Sequence, residues 1–199
     1  MPIVATQTLH AQAPASPPVP AAQVEANRKA LNAIFRDYWE DYLQHSPEFA
    51  STLGDKRYND QISDYSVKAF NDGLAREESF LMRLAAIDPA GLTAQETIGR
   101  ELLLRRIAED EEAAEFKEWE MPVDQMDGIH TVYPRLAAQL SFTGVKDYDD
   151  WIARLHAIPK AFDQVTANMS IGMEDGRVPP KYLLEKALEQ VKGLASQKP

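Results

Sequence analysis

Apolar side chains recur at helical spacing through the segment from Leu31 to Leu43. The series consists of Leu31, Ile34, Phe35, Tyr38, Trp39, Tyr42 and Leu43. Because these residues follow the spacing i, i+3, i+4 and i+7, they share one face of an α-helix over several turns. Similar stripes recur along the chain, and no segment alternates apolar and polar residues with the period of a strand. The sequence therefore predicts an all-α fold, an irregular bundle of roughly six or seven helices of uneven length.

Local signals place a short helix directly after this first stripe. Ser46 is a typical N-cap, Pro47 suits the first helical position, and Gly54 can end the helix in a left-handed conformation. We call residues 45–60, with the sequence HSPEFASTLGDKRYND, the elbow. The elbow collects a histidine, acids, bases and a tyrosine, so it is a candidate binding edge as well as a candidate turn.

Two further signals divide the middle of the chain. Thr93 and Glu96 have the spacing of a capping box, which predicts the start of a helix. The apolar residues of that helix are Ile98, Leu102, Leu103 and Ile107. The acidic stretch from Glu109 to Glu120 lacks the pattern of a calcium loop, so we interpret it as a solvated helix face.

The last third of the chain predicts two more long helices. Pro159 falls inside the first of them and predicts a kink, while Gly172 and Gly176 predict its end. The last helix begins at Lys181 and carries an apolar stripe almost to the final residue. Since no later segment is present to cover that stripe, we expect this chain to be the N-terminal part of a longer protein.

Composition excludes several classes of function. The chain has 199 residues, 44% of them hydrophobic and 26% charged, with a formal net charge of −10. A surface of this sign disfavours nucleic acid and anionic membranes as partners. The absence of cysteine removes disulfides, thiolate nucleophiles and cysteine-ligated metals.

Residues 1–23 differ in composition from the rest of the chain. They contain no lysine or arginine, include the small-x-small triplet Ala11-Gln12-Ala13, and continue into a Pro/Ala/Ser linker. Their apolar stretch is too short for a transmembrane helix. We expect this segment to be the remnant of a signal peptide and a disordered linker, which predicts an exported, periplasmic or extracellular protein; a cytosolic leader is the alternative. The helical domain or domain fragment is predicted over residues 24–199.

No complete active site is visible in the residues. None of the four histidines is spaced for a zinc helix, and no nucleophile elbow, phosphate loop or dinucleotide fingerprint occurs. Arg105 and Arg106 are spaced for ion pairs with acids on their own helix. We therefore predict no catalytic, cofactor-binding or metal-ligating residue in this chain. The candidates for contacts with a substrate channel or a partner are Asp55, Arg57, Tyr58, Asp127, His130 and Arg177.

Several short motifs in a fixed order resemble the bacterial domain-of-unknown-function 885 family. The first group comprises Trp39, Ser46-Pro47-Glu48, Ala50, Leu53-Gly54, Tyr58, Asp60 and Asp64. The later groups are Gln125-Met126-Asp127-Gly128-Ile129-His130, Asp147-Tyr148-x-x-Trp151-Ile152-x-Arg154-Leu155-x-x-Ile158-Pro159 and Gly172-x-x-x-Gly176-Arg177-x-Pro179-Pro180. The resemblance extends from about residue 27 to the end of the chain.

This resemblance implies a larger protein with zinc chemistry. Members of the family are similar to helical zinc peptidases, are longer than this chain and are often exported. Their zinc-binding segment, a His-Glu element leading into Pro-Gly-His, lies beyond the region matched, and this sequence contains neither element. No zinc ligand or catalytic glutamate can therefore be carried onto this chain, and zinc is expected only in the full-length parent.

Three hypotheses follow. In the first, the chain is the non-catalytic N-terminal part of a metallopeptidase-like hydrolase with a zincin-like fold, where it forms a wall of the substrate channel and contacts the remainder of the parent polypeptide and a peptide substrate. In the second, it is a stand-alone helical module of the cell envelope that binds a peptide or partner. In the third, His130, His156 and nearby acids form a metal site complete within this chain.

Overall fold

The computed structural model describes residues 19–196, and this part of the chain is helical throughout, with no strand. The seven α-helices in this range are α1 (Ala21–His45), α2 (Pro47–Thr52), α3 (Val67–Ala85), α4 (Ala94–Ala114), α5 (Ile129–Gln139), α6 (Val145–Glu174) and α7 (Lys181–Ala195). Short 3₁₀ turns are formed by Lys56–Tyr58 and by Glu118–Glu120. The prediction of an all-α bundle is confirmed.

Two apolar clusters hold the helices together. The first joins α1, α3 and α4 and consists of Leu31, Ile34, Phe80, Leu84, Ile87 and Ile107. The second joins α5 and α6 and consists of Ile129, Tyr133, Leu136, Ala161 and Val165. The loop after the elbow packs against the second cluster through Ile62 and Tyr65.

The predicted helix boundaries are largely confirmed. Thr93 and Glu96 form the reciprocal bonds of a capping box at the start of α4. Gly54 follows α2 with a φ of 83°, in the left-handed region that glycine adopts without strain. Pro47 occupies the first position of α2, but Ser46 makes no side-chain capping bond. There the chain turns directly from α1 into α2.

Of the two glycines predicted to end α6, Gly176 is confirmed and Gly172 is not. The helix continues through Pro159 and Gly172 to Glu174, and Gly176, with a φ of 73°, follows its end. Gly172 is instead a point of close packing, because a Cβ there would collide with the backbone oxygen of Glu120 and lie 2.9 Å from that of Arg177. A glycine in a helical segment can thus indicate close contact with another backbone segment as well as the end of the helix.

Two predictions about solvent exposure also need correction. In α4, Ile107 is buried, whereas Ile98 and Leu102 are 54% and 62% exposed. Only one side of α4 packs on α1 and α3, so the far side of its apolar stripe remains in solvent. In the acidic stretch, Glu120 is 1% exposed and is therefore not part of a solvated face.

Only the C-terminal boundary of the predicted N-terminal segment, residues 1–23, falls among the described residues. Helix α1 begins at Ala21, so the predicted boundary at residue 24 falls inside its first turn. Most of the expected signal-peptide remnant lies outside the described residues. Within residues 19–196 no helix combines the length and apolarity needed to cross a membrane.

Candidate functional site

The elbow is fastened to α6 by a buried arginine. Arg154 is 0% exposed. Its guanidinium bonds to α2 and to the loop that follows α2. Its Nε donates to the carbonyl oxygen of Gln61 at 2.7 Å, and its Nη2 donates to the Tyr58 carbonyl at 2.8 Å and to Ser51 Oγ at 2.9 Å. Burial lowers the pKa of Arg154, with Glu48 nearby opposing that shift. These bonds fix the path of the elbow from α2 to residue 61.

Glu48 of the elbow makes the second connection across the bundle. Its carboxylate accepts a bond from the backbone N–H of Ser63 at 2.9 Å and another from the Tyr133 hydroxyl at 2.7 Å. Burial, followed by the charge of Glu48, raises the pKa of Tyr133, so this phenol stays a neutral hydrogen-bond donor. Glu48 therefore joins α2, the following loop and α5, and it is fully occupied as a structural acceptor.

The elbow residues predicted to contact a channel or partner lie together on the surface. The Arg57 guanidinium binds Asp55 at 2.6 Å and Glu40 of α1 at 2.7 Å, and it stacks on the ring of Tyr58 at 5.2 Å. Next to them, Lys56 forms an ion pair with Asp147 of α6 at 2.7 Å. The two acids that flank Arg57 already neutralise it, so this group serves to pin the elbow to α1.

Arg177 lies far from the elbow, beside a buried carboxylate. Its Nε is 3.2 Å from Glu120 Oε2, and Lys117 Nζ is 3.1 Å from Glu120 Oε1. Lys117 also binds Asp175 at 2.9 Å. The close contact at Gly172 brings the Glu118–Glu120 turn against α6, so Glu120 is buried at a junction between segments and compensated by two cations.

Asp127 lies just before α5 and His130 lies in its first turn, and no hydrogen bond or ion pair joins the two in the described structure. The Asp127 side chain is 85% exposed, and its nearest cation is Arg135 at 3.9 Å. His130 is 4% exposed, with Nε2 3.0 Å from Gln190 Oε1 of α7. Since Gln190 donates its amide N–H to the Gln125 carbonyl, its oxygen must accept from His130 Nε2–H. Gln190 thus anchors α7 to α5 through His130 and to the loop before α5 through Gln125.

A groove opens between α5, α6 and α7, directly above His130. It encloses about 460 Å³ and continues into a second depression of about 390 Å³ along α7. Large apolar side chains line it, among them Trp151, Leu155, Ile158, Phe162, Val191 and Leu194. Leu155 is 43% exposed, and Phe162 and Leu194 remain similarly open to solvent. We call this feature the α7 groove.

A second cleft, which sequence reasoning missed, consists of two pockets on either side of α3, one towards α1 and one towards α4, that share Gly73 and Glu77. We call it the α3 cleft; it is lined by Tyr38, Tyr42, Phe70, Gly73, Glu77 and Asp110. Burial, followed by the charge of Asp110, raises the pKa of Glu77 to about 7. Perturbed acids in clefts are frequent at functional sites. Glu77 lies three residues after Leu74 and four before Leu81, so the sequence does place this acid on the apolar face of α3, and a charge at such a position is the signal that could have found it.

Metal ligation finds no support in the part of the chain that is described. No group of three or more histidine, aspartate and glutamate side chains there could hold a metal ion. His130 is buried beneath α7, whereas His156 is exposed on α6. The residues present therefore do not fit the zinc that the family resemblance implies for the parent protein.

The geometry can be compared with known proteins. No curated protein and no solved structure matches the chain. A family model described as "Bacterial protein of unknown function (DUF885)" matches residues 47–199, which begin inside the elbow and include α2 to α7. The chain belongs to this family.

Proposed function

We propose that this chain is the non-catalytic N-terminal helical part of an exported metallopeptidase-like hydrolase. In this proposal α5, α6 and α7 form a wall that packs against the remainder of the parent polypeptide and borders its substrate channel. The export signal is the Ala11-Gln12-Ala13 triplet with the linker after it. Family membership supports the assignment to a larger hydrolase only through the resemblance described above.

The single observation that carries the proposal is the α7 groove. Its lining is almost entirely apolar, and several of its side chains remain between one third and one half exposed. Contiguous apolar patches of this kind on soluble proteins mark interaction surfaces. Because α7 is held to α5 through His130 and Gln190, the groove is a fixed surface on which another helical segment can pack.

The charged motifs agree with the role of a wall. Arg154, Glu48 and Arg57 use their polar atoms to fasten the elbow, and Arg177 lies against buried Glu120. In such an arrangement the candidate residues shape and stiffen a surface. Catalytic zinc, if the parent binds it, would be held by the His-Glu and Pro-Gly-His elements that this sequence lacks, and no step of the reaction is assigned to residues of this chain.

The proposal is tested by reading the genomic DNA beyond the codon for Pro199 and expressing the complete product. We expect an open frame that encodes the missing His-Glu and Pro-Gly-His elements. In the longer protein, amides of α7 should exchange hydrogen more slowly than in this chain, because the added segment covers the groove.

A matched pair of variants links this result to the groove. Phe162→Asp places a charge in the α7 groove, whereas Ile98→Asp places one on an exposed apolar position of α4. We expect the present chain to bind a hydrophobic dye and to lose that binding with Phe162→Asp only. A stop codon after Pro199, together with a dye-free monodisperse chain, would instead favour the stand-alone binding module of the cell envelope.

A further inference from the structure

The α3 cleft combines open space with small residues on two helices. Its α1 side encloses about 160 Å³ and its α4 side about 320 Å³, and both sides are lined by Gly73 and Glu77. Ala113 and Ala114 face the cleft from α4. Beyond it, the apolar cluster around Phe80 and Leu84 fills the space between the same helices, so the cleft begins where that cluster ends.

Gly73 keeps this space open without a local structural reason for glycine. A Cβ at this position would meet only Arg76 Nη2, at 3.7 Å, which is ordinary contact. Glycine inside a helix is less favourable than alanine, because it loses more conformational freedom on folding. The chain therefore carries a helix-destabilising residue at a position where neither a turn nor a close backbone contact requires it.

Glu77 lies in the cleft without an ion-paired cation, although the charges of Arg106 and Arg76 oppose part of the rise in its pKa. Around it, Asp41 pairs with Arg76 at 3.1 Å and Asp110 pairs with Arg106 at 2.6 Å. Glu77 itself has no hydrogen-bonded or ion-paired partner within residues 19–196, and its side chain is only partly buried. Its carboxylate is thus accessible from the cleft. The charged residues that line the cleft have an excess of negative charge, because four acids, Asp41, Glu77, Asp110 and Glu118, face two arginines, Arg76 and Arg106.

Aromatic rings line both sides of the cleft in which this carboxylate lies. Tyr38 and Phe80 meet edge to face with their centroids 5.2 Å apart, and Phe70 and Trp119 lie 6.1 Å apart. A carboxylate between aromatic rings suits an organic cation, because the carboxylate accepts its N–H bonds and the rings attract both its charge and its apolar body. A free metal ion would gain little from such walls, since magnesium and calcium require several oxygen ligands.

We propose that the α3 cleft binds an organic cation, whose ammonium or guanidinium group donates to Glu77 and whose apolar body packs against the aromatic walls. The bound cation supplies the partner that Glu77 lacks, and Gly73 provides the room for it. This site is independent of the proposed wall function, because the cleft is built from α1, α3 and α4, whereas the α7 groove is built from α5, α6 and α7.

The test uses benzylammonium as the probe and benzyl alcohol as its neutral analogue. Binding is followed by nuclear magnetic resonance of the purified chain at about pH 8, where Glu77 is mostly ionised. We expect benzylammonium to shift the Gly73 amide and the Trp119 indole N–H in a saturable manner, and benzyl alcohol to leave both unchanged. Equal binding of the neutral analogue would contradict the proposal.

Two glutamine variants provide the decisive comparison. Glu77→Gln removes the charge in the cleft, whereas Glu78→Gln removes an exposed charge one residue away on the same helix. Loss of a charge-assisted bond should weaken binding of benzylammonium by about tenfold or more in the first variant and leave it unchanged in the second. Equal affinities of the two variants would overturn the assignment.

A steric variant locates the probe. Gly73→Leu fills the cleft from the α3 side and should abolish the shifts of the Trp119 indole. Retained binding in a folded Gly73→Leu protein would mean that the cation binds elsewhere, and the proposal would be rejected. Should this variant fail to fold, the comparison of Glu77→Gln with Glu78→Gln decides the matter alone.

Discussion

Replacing Arg154 with methionine tests whether the elbow depends on α6. The guanidinium of this fully buried residue donates to the carbonyl oxygens of Tyr58 and Gln61 and to Ser51 Oγ. Methionine has a similar length and is apolar, so it refills most of the volume but cannot donate. The substitution therefore removes the hydrogen bonds while it limits the cavity that truncation to alanine would create.

The expected loss of stability follows from these bonds. A hydrogen bond to a charged group contributes about 1.5–3 kcal/mol, so three of them contribute about 5–9 kcal/mol before other terms. Burial of the guanidinium offsets several kcal/mol of that sum. The elbow carbonyls left without a donor add a penalty, because a buried polar group without a partner is costly. We expect Arg154→Met to lower the free energy of unfolding by about 2–4 kcal/mol.

Urea unfolding, followed by tryptophan fluorescence, measures this difference. Trp151 lies on α6 three residues before the replaced residue, and Trp119 lies in the 3₁₀ turn that packs against α6 near Gly172. Arg105→Met is the matched control, because the Arg105 side chain is 77% exposed and binds only Glu109 of its own helix. The control should change stability by less than about 0.5 kcal/mol.

Two outcomes would refute the reasoning. A loss below about 1 kcal/mol would mean that the buried guanidinium contributes no more than an ordinary neutral hydrogen bond. A large loss without faster hydrogen exchange in residues 56–65 would mean that Arg154 acts through packing on α6 and does not hold the elbow.

Three further substitutions probe other parts of the structure. Because the pKa of Glu77 is raised to about 7 in the folded chain, its contribution to stability falls as pH rises from about 4.5 to about 7. Glu77→Gln should therefore raise the free energy of unfolding by about 1–2 kcal/mol at about pH 8, a value discounted for the partial exposure of the side chain, and change it little at about pH 4. An equal gain at both pH values in urea unfolding would contradict this. Gly172→Ala should lower the thermal midpoint by several degrees, because its Cβ collides with the Glu120 backbone; an unchanged midpoint in calorimetry would refute the close contact. Gln190→Ala removes the acceptor of His130 and should speed hydrogen exchange in α7 but not in α3. Unchanged exchange in α7 would show that this bond does not anchor the helix.

Helix positions could be predicted from the sequence because their signals are local. The capping box at Thr93 and the glycine turn at Gly54 depend on residues within one helical turn, and both occur in the structure. Gly172 misled the prediction, since the same residue type serves helix ends and close contacts. What distinguishes them is the backbone of Glu120, which is distant in sequence and invisible to a local pattern.

The candidate site was less predictable for the same physical reason. Asp55, Arg57 and Tyr58 were recognised as a group because they are adjacent in the elbow, and they do lie together. Glu77 interrupts the apolar stripe of α3, which is a local signal, but the pockets on either side of it depend on how α1 and α4 pack against α3. Arg154 belonged to a quoted motif, yet its role requires partners such as Gln61 that only the fold brings within reach.

The motifs that carry the family resemblance contact one another in the structure. Arg154 of one motif donates to the carbonyl oxygens of Pro47 and Tyr58 in another, and Gly172 of a third admits the backbone of Glu120 next to Arg177. Residues engaged in this way shape the bundle, so their replacement acts first on the free energy of unfolding. The α3 cleft is different, because Glu77 and Gly73 contribute little to packing and both are unfavourable to stability where they stand. Variants of the motifs should therefore destabilise the chain, whereas Glu77→Gln should stabilise it at neutral pH and lose cation binding. If the α3 cleft is a binding site maintained at a cost in stability, replacing Glu77 should raise the free energy of unfolding and abolish cation binding.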